Sequence, residues 1–245
     1  MATERRHLAE DQDDILIAGA LADGYVTTTT VTIVNAILGE IVTVRGSAPS
    51  DVIDIGGGEG DFFDALNPII RSYVNVDPGQ YPLTAPMIAR STDPRFAILK
   101  TSAESIDRPD ASADVVLSLA AWDHIPHADR ALAEVERLLR PGGVFVVALN
   151  NRGSWWKRLV RYTPYWRRRS AFIAQFHFVQ WTLAELKAHV GRRLTVTKAY
   201  SVVFCPHITH VWPSALPALN AVGNRLLPRL GGVSIVVARK ATADT

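Results

Sequence analysis

Val52-Ile53-Asp54-Ile55-Gly56-Gly57-Gly58-Glu59-Gly60-Asp61-Phe62 sets four glycines within five positions, directly after an apolar run that carries a carboxylate. The apolar run is short enough for a strand, and residues 62–70 beyond it have helical spacing. A turn from strand into helix must be tight, and glycine permits this because it has no Cβ and tolerates positive φ. In an open parallel sheet, ligands sit beyond the carboxyl ends of the strands, where such a turn lies. A purely structural turn accounts for one or two glycines, not for four.

Outward from this stretch, strand-like and helix-like segments alternate. Residues 51–55, 73–77, 96–99, 114–119 and 144–149 read as strands, and residues 62–70, 83–89 and 128–139 as helices. Pro141-Gly142-Gly143 stops the last of these helices. The strands are continuously apolar rather than alternating, which predicts that both faces of a mainly parallel sheet are covered. Further on, residues 181–190 read as a helix, and residues 194–204 and 233–238 as strands. Residues 8–44 have apolar positions at intervals near three and four, the mark of a helical N-terminal extension, and residues 46–50 read as a linker. Residues 152–180 and 206–232 fit no simple crossover and read as insertions on the rim. The whole chain, 1–245, is read as one α/β domain whose ligand-binding core spans 51–151.

The glycine pattern also limits the ligand. The dinucleotide fingerprint G-x-G-x-x-G would need glycine at position 61, which is Asp61. Glu59 lies inside the turn, where its charge would repel a pyrophosphate, and the phosphate loop G-x-x-x-x-G-K-[ST] is absent. These features point to an adenosine-like ligand without a phosphate. Asp77 ends the second strand, 21 residues after Gly56, where a carboxylate can accept both ribose hydroxyls. Asp77 also suits the start of a turn before Pro78-Gly79.

Composition narrows the class. Of 245 residues, 48% are hydrophobic and 20% charged, enough for a core and too ordered a mix for wholesale disorder. The net charge of +2 does not imply a general polyanion-binding surface. Cys205 is the only cysteine, so no internal disulfide forms, in keeping with a reducing compartment. The polar N-terminus lacks the apolar core of a secretory signal, and no stretch reaches about 18 uninterrupted apolar residues. A cytoplasmic protein is expected.

Four elements in order, "VIDIGGGEGDF", "VNVDPG", "TSAESID" and "ADVVLSLAAWDHIPHADRALAEVERLLRPGGVFVVALNN", resemble a class I S-adenosylmethionine-dependent methyltransferase over residues 51–151. The "LLRPGG" before an apolar strand resembles the small-molecule, type 11-like branch. The resemblance implies a Rossmann-like, doubly wound, seven-stranded sheet, mostly parallel with one antiparallel strand at the edge, a place that residues 233–238 suit. It implies S-adenosyl-L-methionine as cofactor and S-adenosyl-L-homocysteine as product. By position, Asp54, Gly56, Gly57, Gly58 and Gly60 would hold the methionine end, Asp77 and Pro78 the ribose, and Ala103 and Glu104 the adenine. Leu119 and Ala120 would run along the cofactor.

Methyl transfer from a sulfonium is a direct displacement, and a hydroxyl acceptor gains from a general base. Asp123, His124 and His127 follow the fourth strand and are the candidates for that role. No metal is expected, since Asn150, Asn151 and Asp123 make a thin ligand set. Trp122, Trp155, Trp156, His177 and His207 are the candidate acceptor-binding residues. Residues 152–169 carry seven basic residues and three tryptophans with no acid between them. That composition suits an acceptor lid, an interfacial segment that touches lipid headgroups, or a nucleic-acid patch. O-methylation of a glycosylated or lipid-like small molecule is the leading expectation. A nucleic-acid or protein methyltransferase and a non-catalytic cofactor-binding partner are the rivals.

Overall fold

A computed structural model describes residues 35, 38–43, 45, 48–79, 85–160, 178–204 and 215–242. The elements run β1 (Ser50–Ile55), α1 (Asp61–Leu66), β2 (Ile70–Val76), α2 (Ala85–Arg90), β3 (Phe96–Leu99) and β4 (Ala113–Leu119). They continue with α3 (Ala128–Leu138), β5 (Leu139–Asn150), α4 (Trp155–Val160), α5 (Leu183–Val190), β6 (Thr195–Val202), α6 (Leu216–Leu226) and β7 (Val233–Arg239). One sheet of seven strands has the order β3-β2-β1-β4-β5-β7-β6. The pairs among β1 to β5 are parallel, and β7 is antiparallel to both β5 and β6.

The continuous apolar strands do cover two faces. Phe145, Val147 and Leu149 of β5 join Leu132, Val135, Leu186 and Val190 of α3 and α5 on one side. Val144, Val146 and Ala148 point to the other, with Phe62, Phe63 and Leu66 of α1. Ile41, from the N-terminal helical region, lies in this second layer at 1% exposure. Alternation between two buried faces is the physical content of a doubly wound sheet.

Three boundaries differ from the sequence reading. The helix after the glycine loop ends at Leu66, gives way to a 3-10 turn at Asn67–Ile69, and β2 begins at Ile70. The fifth strand starts at Leu139, so Pro141-Gly142-Gly143 lies inside it. The antiparallel strand is β7, as expected, but it is second from the edge, and β6 flanks it. Burial explains this: β7 is buried at six consecutive positions and needs neighbours on both sides, whereas the half-exposed β6 suits an edge.

Among the described residues no helix is long and apolar enough to cross a membrane.

Candidate active site

The switch of strand order between β1 and β4 opens a crevice at their carboxyl ends, and the glycine loop fills its floor. Three of the four glycines each answer a different neighbour. Gly56 lies at φ +71, donates its N–H to the Val76 carbonyl at 2.7 Å, and a Cβ there would overlap the Ala121 Cβ. A Cβ on Gly57 would come within 2.5 Å of the Asp54 carboxylate and of Asn75 Oδ1. One on Gly60 would meet the Phe96 ring at 2.7 Å. Gly58, at φ +50, has nothing within 4 Å of that position. Three of the four are thus required by the protein's own packing, and Gly58 alone faces open space.

Asp54 is fully buried beneath the loop and accepts a hydrogen bond from the Tyr73 hydroxyl. Asn75 is also fully buried and donates from Nδ2 to the Gly58 carbonyl at 2.7 Å. Tyr73 and Asn75, both on β2, tie down Asp54 and the loop, and the sequence reading did not pick them out. Their signal was present in "YVNV", because a polar Asn in an apolar buried strand needs a partner.

Asp77 stands half-buried at the end of β2 and accepts from the Gly79 N–H at 2.7 Å. The turn role therefore exists, and it leaves the carboxylate at the mouth of the crevice beside exposed Pro78. Ala103 is buried. Glu104 accepts from the His127 N–H at 3.3 Å, which links the loop after β3 to the loop after β4. Leu119 ends β4, and Ala120 follows at φ +53, held by its N–H on the Ala148 carbonyl at 2.7 Å. A non-glycine residue in this left-handed region stores about 1–3 kcal/mol, and such strain gathers at functional sites.

The structure fits a phosphate-free cationic ligand. The glycine floor is open at Gly58, Glu59 lies within the loop, Asp54 is buried beneath it and Asp77 follows β2, acidic surroundings that favour a sulfonium over a pyrophosphate.

Beyond β4, Asp123 is 3% exposed, and His124 Nε2 lies 3.8 Å from its Oδ1 on a half-exposed side chain. His127 is exposed, and its main chain starts α3. The Asp123 carbonyl also accepts the Phe178 N–H at 2.9 Å, so the first insertion returns to this loop. The insertion's neck is closed by the Arg152 N–H on the Trp181 carbonyl at 2.9 Å. Asn151, fully buried, ties the second insertion by donating to the Arg229 and Gly231 carbonyls, while its Oδ1 accepts the Gly153 N–H. That amide is fully engaged in backbone contacts. Among the described residues no group of three His, Cys, Asp or Glu is placed to hold a metal.

One acceptor-side expectation is corrected. Trp122 has no exposed surface and packs on Phe145 at 5.2 Å and His189 at 6.1 Å, in the core. An indole following β4 is drawn under α3 and α5 because that face is the larger apolar sink. Trp156, at 8% exposure, donates to the Val203 carbonyl, and Trp155, at 39%, to the Phe204 carbonyl. His177 and His207 lie outside the described residues.

Lys157 was not anticipated. Its Nζ donates to Asn150 Oδ1 and to the Gly232 carbonyl, each at 2.8 Å, at the carboxyl end of β5. Burial pushes its pKa down to about 8, although the Asp123 charge works in the opposite direction. An unfolded lysine titrates near 10.4, so between about pH 8 and 10.4 the unfolded chain binds more protons and stability rises with pH. The melting temperature of the wild type should therefore gain on that of Lys157→Met as pH goes from about 7 to about 10. A difference that stays flat with pH would refute a depressed Lys157.

Residues 53–147 match a family described as a methyltransferase domain. A protein of Mycolicibacterium smegmatis named probable S-adenosylmethionine-dependent methyltransferase is 33% identical over 105 residues, 43% of this chain and 40% of that one. The chain spans about two fifths of the length of the first curated relatives it matches. Burkholderia thailandensis 1,6-didemethyltoxoflavin-N1-methyltransferase, solved with 1,6-didemethyltoxoflavin and S-adenosylhomocysteine bound, shares the fold. Its TM-score is 0.60 at 18% identity, covering 98% of this chain and 88% of that one. An S-adenosylmethionine-dependent methyltransferase from Mesorhizobium loti gives 0.55 at 16% identity, covering 81% and 94%. The matched stretch begins inside β1 and closes inside β5, so it frames the glycine loop and the crevice; over these residues the chain is similar to a methyltransferase domain.

Proposed function

We propose that this chain transfers a methyl group from S-adenosylmethionine to a hydroxyl of a small molecule, with glycosylated or lipid-like metabolites as the leading acceptor class. The observation that carries the cofactor half is the clamped glycine floor with Asp77 at its mouth. The His124–Asp123 pair beside it carries the acceptor half. When bound, the cofactor supplies an electrophilic methyl group. The residues of this chain hold the ligand's ribose at Asp77, line its open side at Gly58, and offer the His124 imidazole to an acceptor proton. In-line placement at about 3–3.5 Å supplies much of the rate, and a general base adds roughly 10²–10⁴-fold for a hydroxyl.

Titration with S-adenosylhomocysteine, with NAD as control, tests the cofactor half. Binding of the first and not the second is expected. Asp77→Ala should weaken that binding by about 1.5–3 kcal/mol, the scale of hydrogen bonds to a charged group. Unchanged affinity would remove Asp77 from the ribose site.

A screen of hydroxyl-bearing acceptors tests the other half. His124→Ala should keep cofactor affinity and lower turnover by roughly 10²-fold or more. Full-speed turnover would strike His124 from the mechanism. Transfer to none of the acceptors, despite tight cofactor binding, would favour a non-catalytic partner role.

A further inference from the structure

The net charge of +2 conceals a steep segregation. Residues 1–136 hold 9 Lys and Arg against 22 Asp and Glu, whereas residues 137–243 hold 17 against the single acid Glu185. The basic half includes both insertions. On it, α4 and α6 both lie against the segment that follows β6: Trp155 Nε1 donates to the Phe204 carbonyl, and a Cβ on Gly223 would meet the Phe204 ring, while the Trp155 main-chain N–H donates to the Leu230 carbonyl just beyond α6.

Each helix leaves an apolar pair exposed at i, i+4. Trp155 and Leu159 do so on α4, with Leu159 at 65%; Val222 and Leu226 do so on α6, at 57% and 68%. Leu227 extends the second pair. Arg158, Arg225 and Arg229 border them, and among the described residues none of the three forms an ion pair. Aliphatic side chains with no cover cost free energy in water, and guanidiniums with no counter-charge invite an anion.

We propose that this face of α4 and α6 docks on an anionic lipid bilayer. Two features choose this occupant. The exposed groups are mostly aliphatic, which enter the headgroup boundary but do not stack on bases as a single-stranded nucleic acid requires. A second copy of the chain docked by this same face would bring like charges together, whereas a negatively charged leaflet attracts them. Docking there would seat the acceptor-side rim against the membrane, since α4 also carries Lys157 above β5.

Co-sedimentation of the full chain with phosphatidylcholine vesicles, with and without about 30% phosphatidylglycerol, tests the idea. Binding to the anionic vesicles alone is expected. Both Leu226→Glu and the double variant Arg225→Gln/Arg229→Gln should weaken it about tenfold, with affinity for S-adenosylhomocysteine retained as the sign of a folded protein. Should Leu226→Glu not fold, the arginine pair carries the test. Inorganic phosphate at millimolar concentration should not compete; full displacement by it would reduce the face to a phosphate site and overturn the proposal. So would equal binding to neutral vesicles, wild-type binding by both variants, binding to single-stranded RNA but not vesicles, or a dimer that Leu226→Glu dissolves without any vesicle binding.

Discussion

Gly56→Ala is expected to lose S-adenosylhomocysteine affinity by roughly a thousandfold, about 4 kcal/mol, from two effects that act together. Gly56 sits at φ +71, where an L side chain costs about 1–2 kcal/mol. The added methyl would also overlap the Ala121 Cβ, so the β1 turn and the β4 turn must move apart. Ala121 has little room to yield, because its neighbour Ala120 is already held in the left-handed region by the Ala148 carbonyl. A displacement of about 1 Å at a positioning loop is enough for a hundredfold effect on a bound reactant. Gly58→Ala is the control. Its Cβ meets nothing within 4 Å, so only the backbone strain applies and the fold should hold. Isothermal titration beside thermal melting separates the two variants. Wild-type affinity in Gly56→Ala would mean that the crevice floor is not set by the contact between these turns.

The second large effect is on stability. Trp122→Ala should cost about 3–5 kcal/mol, because a fully buried indole leaves a cavity against Phe145 and His189 that rigid β5 and α5 cannot close. For a chain of this size that is a fall of roughly 10 °C in melting temperature. Trp122→Phe should cost less than about 1.5 kcal/mol. The smaller ring keeps most of the packing, and the indole Nε1 it removes has no hydrogen-bond acceptor among the described residues. Turnover by Trp122→Phe should stay near the wild-type rate. A stable Trp122→Phe protein with turnover abolished would return Trp122 to the acceptor wall.

The linear sequence was enough to determine the sheet and the place of the crevice. "VIDIGGGEGDF" is a strand that has to turn within a few residues, and the apolar strands that follow have no polar face to offer water. Local chemistry of that kind survives any tertiary arrangement, so the five parallel strands, the turn after β1 and Asp77 at the end of β2 were legible. The reasons for individual residues were not. Gly57 answers Asn75 of β2 as well as its near neighbour Asp54, and Gly60 answers Phe96 of β3. Trp122 followed the site in sequence yet went to the core, since burial depends on which layer lies beneath. The same holds for β7, which took an inner position because β6 returned to flank it. Lys157 is an ordinary basic residue in a basic run until it donates to Asn150 and Gly232 and burial lowers its pKa against the pull of the Asp123 charge. Spacing along the chain sets what a segment can form by itself; desolvation and close approach, which come from partners distant in sequence, decide what each side chain is for.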